Sequence, residues 1–261
     1  MQKTVLFKNS KISFSDTGKG SVVVLLHGFL ENNMMWKDVI PVLSKNRRVI
    51  AIELLGHGGT EAIGYVHSME LMAEAVKAVL KNLRIRRIAL IGHSMGGYVA
   101  LAFADKYPEK IKGLCLMNST SLPDDDERKT LRARANKMVQ NNFENMVRMS
   151  FTNLFSEKSR TVFKSELKMA LEEALQTPVQ GYIACQEGMR IRSNRMKVLQ
   201  KNDFKRLIII GKKDPVLDYE TSLEEVKKTN AEAMVFNDGH MSHIENKSSL
   251  TEALKTFLRD L

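Results

Sequence analysis

The segment ALIGHSMGGYVALAF, residues 89–103, runs from a continuous apolar stretch into a stretch of helical spacing, with Ser94 at the junction and Gly92 and Gly96 two positions either side. A strand that turns into a helix within one residue is a strained corner, and side chains at the two glycine positions would fill it. The corner lifts the Ser94 hydroxyl to the C-terminal edge of a sheet. It also aims the amide of Met95, with the helix N-terminus behind it, at the same point. A chain built around such a corner needs a sheet with helices on its faces.

The rest of the sequence supplies both. SVVVLLHG (21–28), RRVIAIELLG (47–56), RRIALIGHS (86–94), IKGLCLMNS (111–119), KRLIIIGKKD (205–214) and AEAMVFNDG (231–239) read as strands. Their near-continuous apolar character predicts cover on both faces, as in a mostly parallel sheet. TVLFKN and KISFSDTG alternate like an antiparallel hairpin, while 68–82 and 95–107 carry helical periodicity. The fold class is α/β, a doubly wound and mostly parallel sheet. Residues 121–203 break the alternation with three or four successive helical patterns, through Leu131, Ala135, Met138, Met146, Val147 and Leu154 and again through Val162, Phe163, Leu167, Ala170, Leu171 and Ala174. A further helix start is expected at Thr177 as N-cap with Pro178 at the first position and Gln180 at the third. We read 121–203 as a helical cap inserted into a core formed by 1–120 and 204–261.

Composition narrows the function. The net charge is +10, yet basic residues are interleaved with acids, as in DDDERKTLRARANK, and aromatics make up only 7%. That pattern is a solvated surface without a stacking platform, so no nucleic-acid partner is expected. The opening MQKTVLFKNS has no signal-like apolar run, and no stretch is long enough to span a bilayer, which makes the cytoplasm the expected compartment. Cys115 and Cys185 are expected as buried free thiols. Oligomeric state is not written in any of these patterns.

A serine hydroxyl attacks well only when a base takes its proton and an anion holds the base in the right tautomer. In this architecture the partners follow the serine as acid, then histidine, each just past a strand. Asp214 in LIIIGKKDP and His240 in VFNDGH meet that order. Asp124 follows the strand before the cap and competes as the acid, although its acidic run looks like a helix start. Asp218 and Asp238 read as turn residues. The second oxyanion donor, beside the amide of Met95, is expected from the amide of Phe29 after His27 and Gly28. Phe29 and Met95 are also the expected substrate contacts.

The remaining histidines read as structural: His27 bonding within its loop, His57 in a turn that lacks the Lys-Ser/Thr of a phosphate loop, His93 pointing away from Ser94, and His67 with no partner pattern. His240 and His243 lie three apart, a spacing that also suits a metal, but only Glu245 stands near as a third ligand. No metal and no cofactor is expected.

HGFLEN, the GHG turn, GHSMGGYVALAFADKYPEKIKGLCLMN, GKKDP and GHMSHIE together resemble the α/β-hydrolase superfamily, in its esterase-like branch with a helical cap. The resemblance covers nearly the whole chain. It implies an eight-stranded sheet with the second strand antiparallel, Ser94 as nucleophile, Asp214 as acid and His240 as base. The implied activity is a serine hydrolase acting on small carboxylic esters. C–C bond hydrolases, perhydrolases and lyases of the menaquinone-pathway type use the same triad, although the last generally carry Arg where this chain has Tyr98. Haloalkane dehalogenases and epoxide hydrolases need Asp at the position of Ser94. A ligand receptor on a hydrolase scaffold is the alternative from outside enzymology.

The chain also departs from the family pattern. Glu53-Leu54-Leu55-Gly56-His57-Gly58 stands where relatives commonly read Asp-x-Pro-Gly-His-Gly, and the missing proline is expected to loosen that loop. Asn246 and Lys247 follow Glu245 where a proline is common, with a capping box from Ser249 and Glu252 expected to start the last helix. Met34, Met35, Met95, Met138, Met146 and Met149 suggest an adaptable apolar acyl site that favours short to medium acyl chains over charged substrates.

Overall fold

The computed structural model describes residues 2–201 and 203–261. Eight strands form one sheet in the order β1-β2-β4-β3-β5-β6-β7-β8, with β1 at Gln2–Phe7, β2 at Ser10–Thr17, β3 at Val22–Leu26, β4 at Arg48–Ile52, β5 at Ile88–His93, β6 at Ile111–Met117, β7 at Lys205–Gly211 and β8 at Glu232–Phe236. Strand β2 pairs antiparallel with both β1 and β4, and every other pairing is parallel. The second strand is therefore the antiparallel one, as the family resemblance implies.

Alternation along the strands divides the core. Val24, Leu26, Ile50, Ile52, Leu90, Leu114 and Leu116 face one hydrophobic layer with helices α2 (Met69–Asn82) and α3 (Met95–Lys106). Val23, Leu25, Val49, Ala51, Ala89, Ile91 and Met117 face the other, with Trp36 near the short α1 (Ile40–Leu43) and the C-terminal Phe257. Each fully buried aliphatic side chain contributes about 1.5–3 kcal/mol, so the central strands cannot slip in register. Strand β8 departs from the expected double cover, because Glu232 to Val235 are exposed. It is one of the two edge strands, paired among the described residues with β7 alone.

Among the described residues, six helices lie between β6 and β7: α4 (Asp126–Met138), α5 (Phe143–Thr152), α6 (Glu157–Val162), α7 (Lys164–Ala174), α8 (Val179–Arg190) and α9 (Met196–Lys201). They attach in two ways. Val139, Met146, Val147, Phe151, Phe155, Leu171, Ala174 and Tyr182 build their own cluster with Leu30 and Met241. Cys185, Met189, Val198 and Leu199 instead join the main core. Gly181 and Gly188 explain the seating of α8, since a Cβ on the first would strike the Gly56 carbonyl and one on the second the His67 carbonyl. Leu131 and Met138 are exposed rather than part of a buried stripe. Helix α4 turns a polar side to α8 instead, where Asn136 Nδ2 donates to Glu187 Oε1 at 2.9 Å.

Three local expectations need correction. Pro178, extended at ψ 144°, is itself the cap of α8, so Thr177 caps nothing and the helix begins at Val179. The last helix, α12, spans Lys247–Leu258 after the short α11 (Ser242–Glu245) and starts ahead of the Ser249–Glu252 box, whose Glu252 pairs with Lys255 at 2.8 Å. The Glu53–Gly58 turn is pinned without proline, because the Glu53 carboxylate accepts the Gly59 amide at 2.7 Å and the Glu53 carbonyl accepts the Thr60 hydroxyl at 2.8 Å. Both cysteines are buried and unpaired, with burial pushing each thiol up. Among the described residues no helix is long and apolar enough to cross a membrane.

Candidate active site

Ser94 sits at φ +49°, ψ −117°, a conformation costly for a residue with a side chain. Its surroundings leave it no other. A Cβ on Gly92 would meet the Gly96 carbonyl, and one on Gly96 would meet the Leu26 carbonyl from β3. The Ser94 amide donates to the Met117 carbonyl at 3.0 Å, and the Ser119 hydroxyl donates to the Ser94 carbonyl at 2.8 Å.

The three residues expected to act together lie in one hydrogen-bonded line. His240 Nε2 is 2.9 Å from Ser94 Oγ, and His240 Nδ1 is 2.7 Å from Asp214 Oδ2. With a carboxylate at Nδ1, that nitrogen carries the proton and Nε2 is left as the acceptor for the serine hydroxyl. The other oxygen of Asp214 accepts the amides of Val216 and Leu217 at 2.8 and 3.1 Å. Burial would raise the Asp214 carboxyl, but the neighbouring His240 and these hydrogen bonds outweigh it and hold the carboxyl below its usual range. Asp238 is not the partner of His240, and Asp218 caps α10 (Tyr219–Thr229) through the Thr221 amide at 2.8 Å.

Asn118 is a site residue that the sequence did not announce. Its Nδ2 donates to Asp214 Oδ2 at 3.1 Å and to the Gly239 carbonyl at 3.2 Å, while its Oδ1 accepts the Ser242 hydroxyl at 2.6 Å. One amide thus fixes the acid and both flanks of the histidine. The available signal was a polar residue directly after β6, at the same sheet edge as Ser94.

The loop after β3 carries the Phe29 amide. Neither this amide nor that of Met95 has a hydrogen-bond partner among the described residues. The histidines hold the loop in shape. His57 Nε2 accepts the Leu30 amide at 3.1 Å, and His27 Nε2 accepts the Leu54 amide at 2.9 Å, tying this loop to the one after β4. His67 has partners after all: its Nε2 accepts the Ile63 amide at 3.0 Å and its Nδ1 lies 3.3 Å from Cys185 Sγ.

His93 turns from Ser94 into a buried ion pair. Its Nδ1 is 2.7 Å from Glu31 Oε2 and its Nε2 is 2.9 Å from the His240 carbonyl. Two acceptors require both ring nitrogens to carry protons. Burial alone would lower His93, but Glu31 reverses the shift and raises it, and the Glu31 carboxyl, which burial would raise, is held down to about 2 mainly by His93. Glu31 Oε2 also accepts the Gly28 amide at 2.6 Å. His243 Nε2 lies 3.7 Å from Glu31 Oε1, so Glu31, His93 and His243 place potential ligand atoms within 4.8 Å of one another. Both His93 nitrogens are already used, which leaves two ligands and makes the cluster an ion pair rather than a metal cradle.

Burial takes His57 down to about 3 and His243 to about 4. Between pH 6.5 and 4 the unfolded chain binds protons on these groups that the folded chain refuses. Stability therefore falls with acidification, by about 1.4 kcal/mol per pH unit for each group. His93 has the opposite sign: its contribution is present below pH 6.5 and is lost as pH rises through its folded value. Urea unfolding between pH 7 and 4 should show the decline, and His243→Gln should make it shallower.

Ser94 and His240 open onto a cavity of about 130 Å³ lined by Phe29, Leu30, Tyr98, Phe151, Leu154 and Met189, with Glu31, His93, Arg132, Ser150 and Gln186 among its polar members. A second cavity of about 230 Å³ shares Leu30, Glu31 and Phe151 but reaches neither Ser94 nor His240. Of the six methionines singled out from the sequence, none lines the Ser94 cavity. Met34, Met138 and Met149 are exposed, Met35 lines the other cavity, Met95 is core, and Met146 belongs to the separate helical cluster.

Comparison with known proteins agrees with this architecture. Residues 21–247 match the model of the alpha/beta hydrolase fold family. The chain is 30% identical over 251 residues to the dihydrolipoyllysine-residue acetyltransferase component of the acetoin cleaving system of Pseudomonas putida, covering 92% of this chain and 64% of that protein. The match thus spans less than two thirds of that relative's length. It is 24% identical over 258 residues to a 2-hydroxy-6-oxo-6-(2'-aminophenyl)hexa-2,4-dienoic acid hydrolase of Metapseudomonas resinovorans, covering 94% and 86%. A malate-bound thermophilic esterase from Thermogutta terrifontis superposes at TM-score 0.94 with 28% identity over 100% of this chain and 98% of its own. With the sheet order, the Ser94 corner and a family match over most of its length, the chain belongs to the α/β-hydrolase fold family.

Proposed function

We propose that this chain is a serine hydrolase that cleaves carboxylic esters through an acyl-enzyme. The observation that carries the reading is the unbroken Asp214–His240–Ser94 hydrogen-bonded line ending at the mouth of a cavity. Ser94 Oγ attacks the ester carbonyl as its proton moves to His240 Nε2, and Asp214 stabilises the imidazolium. The amides of Phe29 and Met95 hold the oxyanion. His240 then protonates the departing alcohol. A water gives its proton to the same nitrogen, attacks the acyl carbon and releases the acid with Ser94 restored. The helices of 121–203 act as the cap over this chemistry, with Phe29 against Tyr182 at 4.9 Å between ring centres as one seam.

A panel of p-nitrophenyl esters tests the reading, with mass spectrometry of the quenched enzyme. The expected result is turnover with a transient acyl adduct on Ser94. The relative named as a dienoic acid hydrolase motivates the rival C–C bond reading. Turnover of a 2-hydroxy-6-oxo-dienoate together with inert esters would replace the proposal by that rival.

A further inference from the structure

The ester chemistry proposed above makes no use of the arginine that lines the Ser94 cavity. Arg132, on α4, donates from Nε to Asp124 Oδ2 at 2.5 Å and from Nη1 to Gln186 Oε1 of α8 at 2.6 Å. Its Nη2 has no hydrogen-bond partner among the described residues. Two anchored nitrogens fix the guanidinium plane, and the third is left as a free donor on a residue that lines a mostly apolar cavity.

The charge count around it is uneven. Asp124, fully buried, is the one carboxylate, and it is shared with Arg192, whose Nη1 lies 2.6 Å from Asp124 Oδ1. Arg192 is held further by the Leu122 and Met189 carbonyls at 3.2 and 3.0 Å, and its guanidinium lies 4.1 Å from the Tyr98 ring centre. Two guanidinium groups against one carboxylate leave this cluster with a surplus of one positive charge, and Arg132 is its member that lines the cavity. Asp124 lies behind the cavity wall, and Glu31, the acid that does line the cavity, is already paired with His93. A surplus cation beside a mostly apolar cavity is stabilised by a ligand that supplies an anion, and guanidinium suits carboxylate best.

Building on the serine-hydrolase reading, we propose that Arg132, aligned by Asp124 and Gln186, binds a free carboxylate on the substrate, so that the substrate is an ester bearing a second, anionic carboxyl group. Asp124 is then a positioning residue. The expectation of a preference for uncharged acyl chains, drawn from methionines that do not line the cavity, is reversed.

The test measures release of methanol from the monomethyl esters of succinate, glutarate and adipate, each against the methyl ester of the monocarboxylic acid of equal chain length. The pair 4-acetoxybutyrate and butyl acetate covers an anion on the alcohol side. In the wild-type protein at least one anionic ester should exceed its neutral partner in kcat/KM by about 10- to 100-fold, the size of one charge-assisted hydrogen bond. In Arg132→Gln that ratio should collapse toward one, mainly through KM, with Arg132→Lys in between. Equal turnover within each wild-type pair overturns the proposal while leaving ester cleavage standing, as does a preference that survives in Arg132→Gln. If no ester turns over, calorimetry on Ser94→Ala decides. Binding of monomethyl adipate at least tenfold tighter than of methyl hexanoate upholds the carboxylate site while the ester reading falls, and equal or absent binding overturns the site as well. The wild-type pairs and the calorimetry do not depend on the Arg132 variants folding.

Discussion

Ser94→Ala should lower kcat/KM toward the best ester by at least about 10⁴-fold without loss of thermal stability, because Ser94 Oγ makes one hydrogen bond, to His240, and nothing in the core rests on it. His240→Ala should fall as far. Asp214→Asn should cost about 10⁴-fold for a different reason: an amide facing His240 Nδ1 favours the tautomer that leaves Nε2 protonated and unable to accept from serine. Ser94→Gly gives an independent check on the corner. It loses activity equally but removes the penalty of φ +49°, so its unfolding free energy should rise by about 1 kcal/mol. His243→Gln should remain within about tenfold of wild type, since His243 contacts neither Ser94 nor Asp214. Substantial turnover by the Ser94→Ala protein would remove Ser94 from the chemistry.

The second large effect is expected from a residue outside the Asp214–His240–Ser94 line. His93→Leu leaves Glu31 buried, ionised and without its principal partner, a change that typically costs about 3–5 kcal/mol. Urea unfolding at pH 7 measures it. The same variant should lower turnover, since the Glu31 carboxylate fixes the Gly28 amide beside Phe29, and His93 Nε2 supports the carbonyl of His240. Adding Glu31→Gln to His93→Leu should restore part of the stability, because the second change removes the uncompensated charge. A strictly additive double variant would show that the pair is not coupled.

The strands, the opening hairpin and the corner at Ser94 were legible because each is written locally, as apolar runs, alternation and glycines at fixed offsets, whereas the antiparallel place of the second strand in the sheet came from the family resemblance. The line from Asp214 through His240 to Ser94 followed from the order of these residues, each just past the end of a strand. What the sequence hid was lateral. Glu31 meets His93 across 62 positions and Arg132 meets Gln186 across 54, and neither pairing leaves a periodic trace. The Ser249–Glu252 box misled because a local motif competes with tertiary packing: Leu250 and Leu254 are buried in the layer under the sheet, and α12 extends back to Lys247. The Met-rich composition misled because methionine fills core and surface as readily as a binding site.

The seating of α8 on Gly56 and His67 divides the mechanical labour among the six inserted helices. Helix α8 is wedged against core backbone at two glycines, and α4 is tied to α8 through Arg132–Gln186 and Asn136–Glu187. Helices α5 and α7 share the separate cluster and meet the core mainly through Leu30 and Met241. The wall that carries Arg132 is therefore braced by core backbone, whereas the side built from α5 and α7 leans on the core mainly through two side chains. A guest held by Arg132 would meet a socket shaped before it arrives, which keeps the entropic cost of its capture low.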